Sequence, residues 1–169
     1  MGGLQDRKAS LEEKVEALID REWIEDMFIR FFSGGMRAGG VQSFFVEGAH
    51  LDINGLVVHG FDEIRALYPQ VAADKLPRKG TFHMLLTNFQ INVTGREATA
   101  KFLWTQLLNY DVAGPPELIE QGREYDRLIK QEDGEWRITK RVVIADSGTP
   151  KIFLPTWSPR LDYDILAED

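Results

Sequence analysis

The sequence predicts an α+β fold: a cone-shaped, curved antiparallel sheet wrapped around a long N-terminal helix. Three observations carry this. The first third of the chain has helical periodicity, residues 81–145 alternate as strands, and Asn54-Gly55 marks a short hairpin between them. Helices first and strands later is the α+β order.

The elements follow in turn. Residues 1–10 read as a flexible leader. Ser10 with Glu13 forms a capping box, because each side chain satisfies a backbone N–H that the helix start leaves open. Leu11, Val15, Leu18 and Ile19 then recur at helical spacing, and the same face is expected to continue through Trp23, Met27, Phe28 and Phe31. Ser33-Gly34-Gly35 and Gly39-Gly40 interrupt it, since glycine weakens a helix by ~1 kcal/mol relative to alanine. Short strands are expected over 49–53 and 56–59. A helix over 62–73 is expected to be capped by Asp62. Residues 74–80, with Pro77, read as a loop. Longer strands are expected over 81–93, 96–110, 119–131 and 135–145, the last pair joined at Asp133-Gly134. Residues 146–169 carry prolines at 150, 155 and 159 and read as a tail or lid, leaving one domain over 11–145.

Composition limits the function. The 169 residues carry a net charge of −7, which argues against a nucleic-acid partner, because phosphate contacts need a basic face. Hydrophobic residues make up 43%, enough for a real core. No cysteine is present, which removes disulfides, thiolate metal sites and cysteine nucleophiles and fits a cytoplasmic location. No apolar run approaches the ~20 residues of a membrane span, and the N-terminal stretch does not read as a signal peptide. No glycine-rich dinucleotide fingerprint or phosphate loop occurs, so no cofactor is expected.

Four stretches carry a family resemblance: Phe44-Phe45-Val46-Glu47-Gly48-Ala49, Val57 to Ile64, Phe82 to Asn88, and Gly122 to Lys130 followed by Gly134 to Ile138. In this order the chain resembles the SnoaL-like branch of the nuclear-transport-factor-2-like superfamily over roughly residues 11–145. The resemblance implies a conical α+β barrel with an apolar pocket at its wide end. Its members include scytalone dehydratase, polyketide cyclases, ketosteroid isomerase and dehydrochlorinases, and also the non-catalytic β subunits of ring-hydroxylating dioxygenases. It implies a homodimer or homotrimer as well.

The resemblance puts His83 at the general-base position, and an imidazole suits proton transfer near neutral pH. Family members commonly carry a tyrosine and an aspartate near the end of the first helix. This chain departs from that pattern, with phenylalanine at the tyrosine position and Arg37 close to the aspartate position. Arg37 is a cation able to hold a developing oxyanion.

Glu124 occupies a tyrosine position on its strand and shares a face with Gly122, Asp126 and Leu128 by alternation. It reads either as a buried acid paired with His83 or as a structural acid paired with Arg123, Arg127, Arg137 or Arg141. Expected substrate contacts are Phe28, Phe32, Met36, Asn88, Trp104 and Asp52. His50 and Asp52 form a two-point arrangement with no evident third ligand, so no metal is expected. The expected function is a lyase removing water or formaldehyde from a phenolic or other aromatic molecule. An isomerase, a cyclase or a non-catalytic subunit remains the alternative.

Overall fold

Residues 9–35, 40–73, 81–160 and 162–166 are described by a computed structural model of the chain. Helix α1 spans Leu11–Arg30. The predicted capping box is present: the Glu13 N–H donates to Ser10 Oγ at 3.2 Å, and the Ser10 N–H donates to Glu13 Oε2 at 2.7 Å. The chain then widens into a π turn over Phe31–Gly35, with Gly34 at φ +101°, a conformation that favours glycine.

Strand β1 (Phe45–Ile53) turns at Asn54-Gly55 into β2 (Leu56–His59). Helix α2 covers Gly60–Ala73. It starts two residues before the expected Asp62 cap. Gly60 turns the chain at φ +69°, and Glu63 reaches back to accept the His59 N–H at 2.8 Å. Four long strands follow: β3 (Thr81–Thr94), β4 (Glu97–Asn109), β5 (Glu117–Lys130) and β6 (Trp136–Ser147). The predicted leader falls almost wholly outside the described residues, and the predicted loop over 74–80 lies outside them.

The six strands form one open, curved sheet in the order β2-β1-β6-β5-β4-β3. All pairs are antiparallel except β1 with β6, which is parallel and corrects the all-antiparallel expectation. Alternation within each strand does not encode which strands become neighbours. Asn54 fastens this junction. Its N–H donates to the Val143 carbonyl at 2.9 Å, and its Oδ1 accepts the Ala145 N–H at 2.8 Å.

The inward rows of the sheet meet α1. On β4 they carry Ala98, Ala100, Phe102 and Trp104, all buried. Phe28 packs on Phe102, with ring centroids 4.8 Å apart. A bulge between Thr87 and Gln90 bends β3, and Asn88 takes φ +58° there. Asparagine tolerates that backbone, and a bulge bends the edge strand.

One face of α1 departs from expectation. Leu11, Val15, Leu18, Ile19 and Trp23 are exposed, from 45% to 79%. The face on the sheet is instead Ala17, Asp20, Ile24, Met27 and Phe28. The first half of the helix is apolar on two sides, so periodicity alone could not choose between them. Asp20 can be buried because Lys130 Nζ donates to it at 2.6 Å and the Trp136 indole N–H at 3.1 Å.

After β6 the tail turns away from the inner face. Phe153 enters the core, while Tyr163 and Ile165 pack on Tyr125, Val142 and Ile144 on the outer face. Asp162 accepts the Tyr125 hydroxyl at 2.6 Å and Lys101 Nζ at 3.0 Å. Gly122 has no room for a side chain: a Cβ there would lie 2.2 Å from the Ile144 carbonyl oxygen and 2.6 Å from Trp104 Cζ2. Gly122→Ala is therefore expected to destabilise the fold by about 3 kcal/mol, read as a lower urea midpoint.

Candidate active site

Two adjoining features occupy the space between α1 and the inner face of the sheet. The first is an open groove of about 380 Å³ between α1 and β3. Glu25, Ile29 and Phe32 line it from the helix side, spaced i, i+4 and i+7, so they fall on one side of the helix and its π extension. Phe82, Met84 and Leu86 line it from alternate positions of β3, and Phe89 follows the bulge. Ser33 and His83 complete the lining. A mostly apolar concavity with a few polar groups is the usual form of a small-molecule site.

The second feature lies deeper and is ionic. Asp126 and Arg141 are register partners on β5 and β6, and Arg141 Nε donates to Asp126 Oδ1 at 2.7 Å. Arg141 Nη2 lies 2.8 Å from Glu124 Oε1, close enough for an ion pair but out of line for a hydrogen bond. The guanidinium sits over the Phe31 ring at 4.4 Å, with Phe45, Phe28 and Phe32 at 5.4, 5.6 and 5.9 Å. Such contacts stabilise a desolvated cation. Arg141 is 1% exposed, Glu124 2% and Asp126 0%.

Two carboxyls face one guanidinium, so one carboxyl is surplus to charge balance. Burial pushes Glu124 well above the ordinary glutamate range; Arg141 opposes the shift and the Asp126 charge adds to it. Burial also raises Asp126, against the pull of Arg141. The pair is coupled, and a proton held by Glu124 and shared with Asp126 relieves it. Burial disfavours the Arg141 charge, but Asp126, Glu124 and Tyr68 outweigh that and hold it above its ordinary value. Tyr68, hydrogen-bonded to Arg141, is pushed up to about 12, chiefly by burial.

The expected site residues distribute between these features and elsewhere. Phe32 lines the groove, and His83 lies at its rim. His83 is exposed and pairs with Leu107, on the outward row of β3 and β4. Glu124 pairs with Phe102 on the inward row. The two are separated by five residues along β4, ~17 Å at strand spacing, and by the sheet itself. The structure thus does not bring His83 and Glu124 together, which corrects that pairing; the partners of Glu124 are Arg141 and Asp126. Phe28 and Trp104 are buried in the wall behind the groove. Asn88 is exposed, serving the bulge. Asp52 accepts the Gly55 N–H at 2.6 Å and Arg160 Nη1 at 3.0 Å, so it holds the hairpin and the tail. Arg37 and Met36 lie outside the described residues. Glu25 was missed; its i, i+4, i+7 spacing with Ile29 and Phe32 was the available signal.

Residues 16–142 match the SnoaL-like domain, and the chain belongs to that family. Similar solved structures agree on the fold. A Mycobacterium tuberculosis protein of unknown function, Rv3472, is 26% identical with a TM-score of 0.64, over 81% of this chain and 78% of that one. An NTF2-like protein with a cystatin-like fold from Novosphingobium aromaticivorans is 21% identical with a TM-score of 0.62, over 89% of this chain and 98% of that one. A protein of the same organism, provisionally named a scytalone dehydratase, is 16% identical with a TM-score of 0.60, over 90% of this chain and 97% of that one. No curated protein matches the chain.

The raised Glu124 has a measurable consequence. The folded protein keeps a proton there that the unfolded chain releases above the ordinary value of 4.5. Stability contributed by that proton is present at lower pH and falls as pH rises, by up to ~1.4 kcal/mol per pH unit, until Glu124 itself ionises. Glu124→Gln keeps the neutral shape and should flatten this decline in urea titrations run from pH 5 to pH 8.

Proposed function

We propose that this chain is an acid–base lyase acting on a phenolic or other aromatic small molecule in the α1/β3 groove. The observation that carries the reading is the groove's lining: one carboxyl and one hydroxyl among six apolar side chains, with His83 at the rim. Flat aromatic rings suit the Phe32, Phe82 and Phe89 walls. His83 takes a proton from the carbon next to the bond that breaks. As imidazolium it returns that proton to the departing hydroxyl, water leaves, and the neutral imidazole is restored. Glu25 steadies the imidazolium charge while it lasts. A retro-aldol release of formaldehyde uses the same base on a hydroxymethyl O–H.

The exposed stripe Leu11, Val15, Leu18, Ile19 and Trp23 favours a second reading, a non-catalytic subunit that holds another chain. Turnover separates the two. Purified protein is incubated with phenolic diols and hydroxyketones, and products are read by mass spectrometry. The lyase reading expects a product lighter by water or formaldehyde, about 10²-fold less of it with His83→Ala, and a smaller loss with Glu25→Gln. Product of unchanged mass would mean an isomerase or cyclase. No product, together with a co-purifying partner, would support the second reading, and full activity in His83→Ala would remove His83 from the mechanism.

A further inference from the structure

The edge of the sheet farthest from the groove carries two histidines that the proposed reaction does not use. The sheet runs from β2 at one edge to β3 at the other, so β2 lies across the whole sheet from the groove. His50 on β1 and His59 on β2 are register partners, the last pair before the hairpin opens. Ala49 and Leu51 are buried in the core, so His50 and its partner stand on the outward face. Their ring centroids are 4.9 Å apart and the rings are inclined at 79°. His50 is half-buried and His59 exposed.

That spacing is the one a shared metal ion needs. Two imidazoles bonded to one zinc ion at about 2.1 Å and near-tetrahedral angles have centroids about 5 Å apart. Rotation of a ring about the bond that carries it turns a nitrogen toward the gap with no movement of the strands. The strands themselves hold the pair, because β1 is paired on both sides, with β2 and with β6. The surrounding charges suit a cation. Glu63 accepts the His59 backbone N–H at 2.8 Å, which puts a carboxylate beside the pair. Lys140 is the β6 register partner of His50, but its ammonium lies over the Tyr163 ring, 5.4 Å from the centroid. The sequence pairs His50 with Asp52, whereas the structure gives Asp52 to the Gly55 N–H and Arg160. Among the described residues no third histidine, cysteine, aspartate or glutamate completes a cluster, so the remaining positions on the ion fall to water.

We propose that His50 and His59 form a two-histidine chelate for a late first-row divalent cation such as zinc. Imidazole nitrogen suits zinc, copper and nickel, whereas magnesium and calcium take oxygen. The bound ion joins β1 to β2 at the open end of the hairpin, whose other end the Asn54-Gly55 turn already closes. The site is a clamp on the edge strand, independent of the groove and of His83.

The test titrates zinc chloride into the tag-free protein near neutral pH, with binding read by calorimetry. One ion per chain is expected. Losing a group that merely orients a metal ligand costs about 10–100-fold in affinity, so losing a ligand, in His50→Gln or His59→Gln, should cost roughly tenfold or more. His59→Cys, which offers a thiolate under reducing conditions, should restore binding, and His83→Gln should leave it unchanged. Zinc should also raise the urea midpoint of the unaltered protein but not that of His59→Gln, because the folded hairpin brings the two rings together. If His59→Gln does not fold by circular dichroism, His59→Asn is held to the same criteria. No binding, binding indifferent to both glutamine substitutions, or binding lost in His83→Gln overturns the chelate. Zinc that binds without raising the midpoint overturns the clamp.

Discussion

Much of this structure depends on a single guanidinium buried among carboxyls and phenylalanines. Taking a cation and two acids out of water is expensive, and the cost is offset only if charges pair and rings close around them. Asp126 supplies the aligned partner, and Phe31, Phe28, Phe32 and Phe45 supply the rings. These side chains come from α1, its π extension, β1, β5 and β6. The cluster therefore fixes where the first helix ends relative to the sheet. Tyr68, from α2, ties the second helix to the same point.

That constraint explains why α1 has two characters. Its C-terminal half and the π turn after it must reach the cluster, so Ile24, Met27, Phe28 and Phe31 are buried. Its N-terminal half is held by one polar anchor, Asp20, on Lys130 and Trp136. Beyond that anchor, Leu11, Val15 and Leu18 face away from the sheet. The groove opens where α1 and the bent edge strand β3 diverge. It is bounded by the π turn on one side and by the Asn88 bulge strand on the other.

The site that emerges has a rim and a floor with different chemistry. The rim, with His83 and Glu25, belongs to the open groove. The floor, with Glu124, Asp126 and Arg141, is dry and nearly charge-balanced. Proton exchange with solvent is easy at the rim and hard at the floor. Burial there raises the Glu124 and Asp126 carboxyls above their ordinary values.

The sequence by itself determined much of the local structure. The Ser10–Glu13 box, the Asn54-Gly55 turn and the alternation of β4 and β5 are written in neighbouring residues, because caps, turns and strand faces depend on spacings of two to four. The same alternation put Glu124 on one face with Gly122, Asp126 and Leu128, and the structure decided that this face is the inward one. The family resemblance led to the fold and offered His83 as a candidate base. Only the tertiary structure decided that β1 lies parallel to β6, that Asp20 rather than Leu18 faces the sheet, and that Glu124 pairs with Arg141 rather than His83. It also brought Glu25 into the groove opposite β3. Each of these depends on partners far apart along the chain, up to 116 residues for Asp20 and Trp136. Burial of a polar side chain is favourable only once its distant partner has arrived, and no periodicity records that partner.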